Sequence, residues 1–77
     1  MDDFLKFVDE LKSREAFHLE IYYSSIMDWC IRIYKKGVGE NGTDLNMVDE
    51  TDSDMELCFA KAHVALKEWL IENNGGY

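Results

Sequence analysis

One long helix constrains the fold of this chain more than any other stretch. From Ser53 to about Glu72, apolar residues recur at spacings of three and four, which is the pattern of a helix that packs on a core. Ser53 and Glu56 form a capping-box motif, in which each side chain bonds a backbone N–H of the first turn. We therefore predict that the helix begins at Ser53. The run Asn73-Asn74-Gly75-Gly76 is typical of the left-handed turn that ends a helix.

This helix is predicted to be apolar on two opposite sides. The side expected to face a sheet consists of Met55, Cys58, Phe59, Ala62, Leu66, Trp69 and Leu70. The opposite side carries a shorter set, which we call the outer stripe: Leu57, Ala60, Val64 and Ile71. Charged residues separate the two sides. The outer stripe is either ordinary exposed surface, which proteins tolerate, or a contact with another copy of the chain or with a target protein.

The residues before this helix predict a short helix and a β-hairpin. After Asp2 and Asp3, the apolar residues Phe4, Phe7, Val8 and Leu11 share one helical face. From Ala16 the period changes to two, which predicts a strand up to Tyr23, a turn over residues 24–27 and a second strand from Asp28 to Lys35. The second strand should place Trp29, Ile31 and Ile33 inward. Tyr22, Arg32 and Tyr34 should share the outward face, with His18 and Glu20 beside them.

A turn and a third strand complete the pattern. Lys36 to Thr43 contains Asn41-Gly42, a common turn dipeptide. A strand is expected from Asp44 to about Glu50, with Leu45 and Met47 inward, and its acidic residues favour an edge position. The sequence thus predicts one domain over residues 1–77 of the α+β class: an α-β-β-β-α order with a three-stranded antiparallel sheet and the helices on one of its faces.

The charge balance limits the kinds of molecule that this chain is expected to bind. Sixteen acidic residues against eight basic ones give a net charge of -8. A field of that sign opposes contact with phosphate backbones, so we expect no direct binding of nucleic acid. It attracts basic proteins, including those that themselves bind nucleic acid.

The sequence also predicts a compartment. No apolar run approaches the roughly 20 residues of a membrane-spanning helix, and Met1-Asp2-Asp3 lacks the basic start of a signal peptide. We therefore expect a cytoplasmic protein that makes no membrane contact. In that compartment Cys30 and Cys58 are expected to be reduced thiols that pack in the interior.

The acidic residues between Glu40 and Glu56 are interrupted by no basic residue. They are interpreted either as a solvated surface or as an anionic surface for a basic protein. Calcium is disfavoured because the spacing lacks the glycine and the terminal glutamate of an EF-hand loop. The candidate partner-binding residues are Asp44, Asp49, Glu50, Asp52, Asp54 and Glu56.

Catalysis, a metal and a cofactor are not predicted. His18 and His63 are the only histidines, and neither belongs to a recognisable nucleophile or zinc pattern. The basic residues Arg32, Lys35 and Lys36 lie near Tyr22 and Tyr34, an arrangement that can stack single-stranded nucleic acid. The alternative is a solvated hairpin end, which the strong negative charge favours.

Three resemblances bear on function. The helix–three strands–helix order resembles the double-stranded RNA-binding domain, but this chain has Asp52, Ser53, Asp54 and Glu56 where that family places lysines, so RNA binding is not implied. The segment from Met27 to Glu72, ending in Lys67-Glu68-Trp69-Leu70, resembles the HicB-type antitoxin fold with an added first helix. In size and acidity the whole chain resembles small accessory proteins of phages and prophages, some of which inhibit host nucleases with acidic surfaces.

From these features we predict a protein-binding module and not an enzyme. It would act as a phage-type inhibitor or regulator of a basic host protein, presenting the acidic residues and dimerising through the outer stripe. The alternative is an antitoxin-like or structural subunit that binds one cognate protein through the exposed helix face.

Overall fold

The computed structural model describes residues 2–24, 26 and 28–76. The elements are α1 (Asp2–Leu11), β1 (His18–Tyr23), β2 (Trp29–Lys35), a short 3-10 helix (Glu40–Gly42), β3 (Leu45–Asp52) and α2 (Met55–Asn74). This order confirms the predicted α+β class. The turn expected over residues 24–27 includes Ser25 and Met27, which lie outside the described residues.

The three strands form one antiparallel sheet in the order β1-β2-β3. In the β1–β2 hairpin, Tyr23 lies opposite Trp29 and Ile21 lies opposite Ile31, as the alternation predicts. Ile31 and Ile33 are completely buried. Because opposed residues share a face, β1 and β2 together present one apolar face to the helices and leave the other open.

Both helices lie on the apolar face of the sheet. α2 packs over β2 and β3, and α1 packs beside α2. The Phe4 and Phe59 rings meet edge to face with their centroids 5.6 Å apart, which joins the two helices. The buried core is built from Phe4, Val8, Leu11, Ile31, Ile33, Met47, Val48, Cys58, Phe59, Ala62, Leu66 and Leu70. The predicted core sides of both helices are therefore confirmed.

The start of α2 differs from the prediction. The N-cap is Asp54, not Ser53, because the Asp54 carboxylate accepts the Leu57 backbone N–H at 3.0 Å. Asp52 accepts the Asp54 backbone N–H at 2.8 Å and so fixes the chain between β3 and α2. The helix ends two residues later than predicted, where Gly75 takes a left-handed conformation with φ of 76°.

Strand β3 also differs from the prediction. It runs to Asp52 instead of Glu50, and Leu45, expected to point inward, is exposed. Met47 is buried as predicted, and the second inward residue is Val48. An irregularity in the β2–β3 register between Ile33 and Tyr34 places one extra residue in β3 and brings Val48 opposite Ile33. Leu45, the first residue of β3, lies opposite Lys35, the last residue of β2, so it stands at the end of the sheet.

Two further findings concern membrane-spanning helices and the cysteine thiols. Neither α1 nor α2, the α-helices of the described residues, has the length and apolar content that crossing a bilayer requires. Cys30 and Cys58 are buried, unpaired thiols. Burial raises the pKa of the Cys58 thiol.

Candidate protein-binding surface

The outer stripe of α2 is not covered by the rest of the described chain. Leu57, Val64 and Ile71 are 50%, 56% and 55% exposed, and Ala60 is exposed as well. Helix α1 packs instead against one flank of α2, where the Phe7 ring lies 5.1 Å from the ring of His63. The predicted second apolar side therefore exists and faces outward.

A shallow groove runs between the outer stripe and the edge strand β3. It has a volume of about 360 Å³ and is lined by Glu50, Ala60, Lys61, Val64, Ala65 and Glu68. Its lining combines the apolar side chains of the two alanines and Val64 with two carboxylates, one from β3 and one from α2. Lys61 also lines it, and its Nζ is bonded to the Thr51 carbonyl and the Asp52 carboxylate. Such a groove suits an amphipathic segment whose apolar residues enter it and whose basic residues meet the two carboxylates.

Four acidic residues lie along the end of β3 and the first turn of α2, and we call Glu50, Asp52, Asp54 and Glu56 the acidic band. Asp49 lies opposite Arg32 and therefore on the open face of the sheet, away from α2. Two members of the acidic band are used by the fold. Asp54 caps α2, and Asp52 pairs with Lys61, whose Nζ lies 3.2 Å from the carboxylate. The Asp54 backbone N–H and Lys61 together hold the pKa of Asp52 below its usual value. Asp52 and Asp54 therefore contribute charge to the surface but are also structural.

The other two members of the acidic band carry charge that the described residues do not neutralise. Glu50 and Glu56 form none of the ion pairs found among residues 2–24, 26 and 28–76. Glu50 lines the groove, and Glu56 lies in the first turn of α2 beside the outer stripe. An unpaired surface carboxylate can pair with a basic partner without first losing an internal bond.

Asp44, the remaining predicted site residue, lies apart from the acidic band. It comes just before β3, eight residues from Asp52, which in an extended strand is a distance of about 26 Å. Its carboxylate lies 3.6 Å from the Arg32 guanidinium and also accepts the Gly37 backbone N–H. Asp44 is therefore engaged on the open face of the sheet, and the structure does not bring all six predicted residues together.

The open face of the sheet carries the predicted aromatic and basic residues. The Arg32 guanidinium lies 4.1 Å from the centre of the Tyr34 ring, and the same group lies near Glu20 and donates to Asn46. His18 stacks on Tyr34 at 5.2 Å. Arg32 and the Tyr34 ring are thus engaged with neighbours, whereas Tyr22 is exposed.

Lys35 is also engaged in an internal bond. Its Nζ lies 2.7 Å from a carboxylate oxygen of Glu15, the residue that joins α1 to β1. The same carboxylate accepts a hydrogen bond from Asn74 at the end of α2. The lysine is the main reason that the pKa of Glu15 is lowered. The Glu15 carboxylate therefore joins β2, the segment between α1 and β1, and the end of α2.

The sequence did not reveal the groove. Lys61 and Glu68 are seven residues apart and so lie on one flank of a helix, which could have been noticed. Glu50 comes from β3, and only the packing of α2 on that strand places it opposite them. Among the described residues, no three His, Cys, Asp or Glu side chains converge in a way that could hold a metal ion.

Comparisons with known proteins found no relative of this chain. No family model, curated protein or solved structure matches the chain.

Proposed function

We propose that this protein is a binding module that captures a basic protein on the surface formed by the outer stripe, the groove and the acidic band. One observation carries the proposal. An apolar helix face that is at least half exposed at three positions adjoins a groove whose lining includes the carboxylates of Glu50 and Glu68. Interfaces commonly join such an apolar centre to a charged rim.

Electrostatics supports a basic partner. The net charge of -8 attracts cationic proteins over distance. Glu50 and Glu56 can then make local ion pairs at the rim of the apolar surface. A protein that binds nucleic acid offers the required positive surface, and covering that surface would block its usual ligand.

The proposal also includes a biological role and a compartment. An inhibitor or regulator of a host nucleic-acid-binding protein, of the phage-encoded type, fits the charge and the size of the chain. It would act in the cytoplasm, where the two buried thiols remain reduced. A second copy of the chain is another possible occupant of the outer stripe, and the same experiments separate it from a basic partner.

Affinity capture with matched variants tests the proposal. Wild type is compared with a band variant (Glu50→Gln, Glu56→Gln) and a control variant (Glu10→Gln, Glu40→Gln). Both variants lose the same charge from exposed or half-buried positions. Wild type and the control variant should retain a basic protein from a lysate of the source cell, identified by mass spectrometry. The band variant should lose it, and added salt should weaken the capture.

A further variant addresses the apolar surface. Val64→Glu places a charge in the middle of the outer stripe and should abolish capture of the same protein. Equal capture by the band and control variants would contradict the electrostatic part of the proposal. Capture that depends on Val64 but not on the acidic band would instead favour the antitoxin-like or structural subunit.

A further inference from the structure

The two edges of the sheet are protected to different degrees. Edge strand β3 carries three acidic residues, Asp49, Glu50 and Asp52, and a register irregularity lies in its pairing with β2. Lys61 also donates to the Thr51 carbonyl of that strand at 2.8 Å. Charges, irregularities and covered backbone groups are the features that prevent an edge strand from pairing with another chain.

Edge strand β1 lacks these features. Its pairing with β2 is regular from His18 to Tyr23, and Glu20 is its one acidic residue. Tyr22 and Tyr23 are 55% and 53% exposed. A regular strand with little charge and exposed aromatic residues is suited to pairing with another strand.

The hairpin shows which backbone groups of β1 are open. The Ser24 N–H donates to the Asp28 carbonyl at 2.7 Å, so these two residues form a hydrogen-bonded pair. Hydrogen-bonded and non-hydrogen-bonded pairs alternate along an antiparallel ladder. The N–H and C=O groups of Leu19, Ile21 and Tyr23 therefore point away from β2, toward the open edge.

We propose that two copies of this protein pair through β1, antiparallel and about a two-fold axis at Ile21, to form a six-stranded sheet. In this register Ile21 lies opposite Ile21 of the second copy, and Leu19 lies opposite Tyr23. Each of these pairs exchanges the two hydrogen bonds that the open groups offer. Glu20 lies opposite Tyr22 of the second copy, so the pairing brings no like charges face to face.

Side chains near the β1 edge support a second copy of the chain as its partner. Phe17, Leu19 and Ile21 are only partly buried although they pack against the core. Leu5 is 39% exposed and lies about 200° around α1 from Phe7, on the flank turned away from α2. A second copy added at β1 would bring its own α1 beside this flank, because a two-fold axis perpendicular to the sheet keeps all helices on one face. The same pairing would cover these half-exposed apolar residues.

The net charge of -8 does not oppose this dimer strongly. Strand order places β3 farthest from β1, so the two acidic bands lie at opposite ends of the six-stranded sheet. Five strand spacings separate them by about 24 Å, which exceeds the Debye length of about 8 Å at physiological salt. Self-pairing at β3 would instead bring acidic residues together. The dimer is independent of the proposed function and leaves the acidic band accessible.

Paired variants at Tyr22 test both the dimer and its register. Tyr22→Glu places a carboxylate opposite Glu20 of the second copy, whereas Tyr22→Lys places an ammonium group there. Tyr22 is exposed in the single chain, so both substitutions are tolerated by the fold. The dimer dissociation constant, measured by sedimentation equilibrium, should be about tenfold higher for Tyr22→Glu than for Tyr22→Lys, since each dimer contains the pair twice.

Wild type should sediment at about twice its mass of 9.0 kDa, and added salt should strengthen the dimer because it screens the net charge. The opposite response is expected for a basic partner. Val64→Glu should leave the dimer intact. In hydrogen exchange, the amides of Leu19, Ile21 and Tyr23 should be protected in wild type and exchange rapidly in Tyr22→Glu.

Three results would overturn this inference. The first is a single-chain mass for wild type at all concentrations up to the millimolar range. The same mass is expected if β1 pairs only with a strand from another protein, and the inferred dimer would then be wrong. The second is equal dissociation of Tyr22→Glu and Tyr22→Lys. The third is a dimer that Val64→Glu dissociates and Tyr22→Glu does not, which would place the interface on the outer stripe.

Discussion

The two sides of α2 have similar residues and different surroundings. On the side that faces the sheet, Cys58, Ala62 and Leu66 are completely buried. On the other side, Val64 and Ile71 are more than half exposed. A domain this small buries only about 60% of the surface of its unfolded chain, so every residue of the inward side contributes to stability. The outer stripe contributes little to folding, and the proposed function assigns its apolar residues to a contact with another molecule.

The largest expected effect distinguishes these two sides directly. Leu66→Ala removes a completely buried side chain from the centre of the core and should lower the free energy of unfolding by about 2–5 kcal/mol. Val64→Ala, two residues earlier on the exposed side, should change it by less than about 0.5 kcal/mol. Urea denaturation followed by circular dichroism measures both values.

In a binding experiment the ranking of these two variants should be reversed. Val64→Ala should weaken capture of the partner, whereas Leu66→Ala should leave capture unchanged at temperatures where it is folded. If Val64→Ala proves as destabilising as Leu66→Ala, the outer stripe belongs to a packed interface of the free protein, and the contrast between the two sides is wrong.

A smaller effect is expected at the beginning of α2, where both sides originate. Asp54→Ala removes the carboxylate that accepts the Leu57 N–H, and loss of an N-cap typically costs about 1 kcal/mol. Ser53→Ala should have almost no effect, because Ser53 lies outside the helix and does not cap it. Urea denaturation of the two variants distinguishes the caps, and a larger loss for Ser53→Ala would restore the cap predicted from the sequence.

The general arrangement could be predicted because it depends on local periodicity. The spacing of Cys58, Ala62 and Leu66 is enough to orient α2, and the alternation around Ile31 and Ile33 is enough to orient β2. The two-sided character of α2 follows from the same spacing. These features need no knowledge of what the elements pack against.

The predictions that proved wrong concern positions where contacts with other parts of the fold determine the local structure. Ser53 and Asp54 are both good N-cap residues, and the bond from the Asp54 N–H to Asp52 at the end of β3 determines which of them starts the helix. Val48 points inward because the irregularity between Ile33 and Tyr34 brings it opposite Ile33, and Leu45 is exposed because it lies at the end of the sheet. The division of the acidic residues into structural and unpaired groups depends on where Arg32 and Lys61 lie, and this is a tertiary property.

The smallest effect concerns His63, which lies on the flank of α2 between its two sides. Its ring lies 6.0 Å from that of Phe4 and 5.1 Å from that of Phe7, and its buried Nε2 has no hydrogen-bond partner among the described residues. Burial is the main cause that lowers the pKa of His63, Lys67 lowers it further, and Asp3 opposes them.

This lowered pKa gives a defined pH dependence. Below the ordinary value of 6.5 the unfolded chain binds a proton that the folded His63 resists. The contribution of neutral His63 to stability is therefore complete above that pH and is lost as the pH falls through the lower folded pKa. The free energy of unfolding of wild type should decrease between about pH 7 and pH 5, and urea denaturation at a series of pH values measures this slope.

The control variants separate His63 from other acid effects. His63→Leu removes the titrating group, keeps an apolar contact with Phe7 and should flatten the slope. His18→Gln changes the exposed histidine of the open sheet face and serves as the control substitution. Glu15 and Asp52, whose pKa values lie below 4.5 and 3.8, contribute only in more acidic solution. Equal slopes for wild type and His63→Leu would show that the contact between α1 and α2 does not respond to this proton.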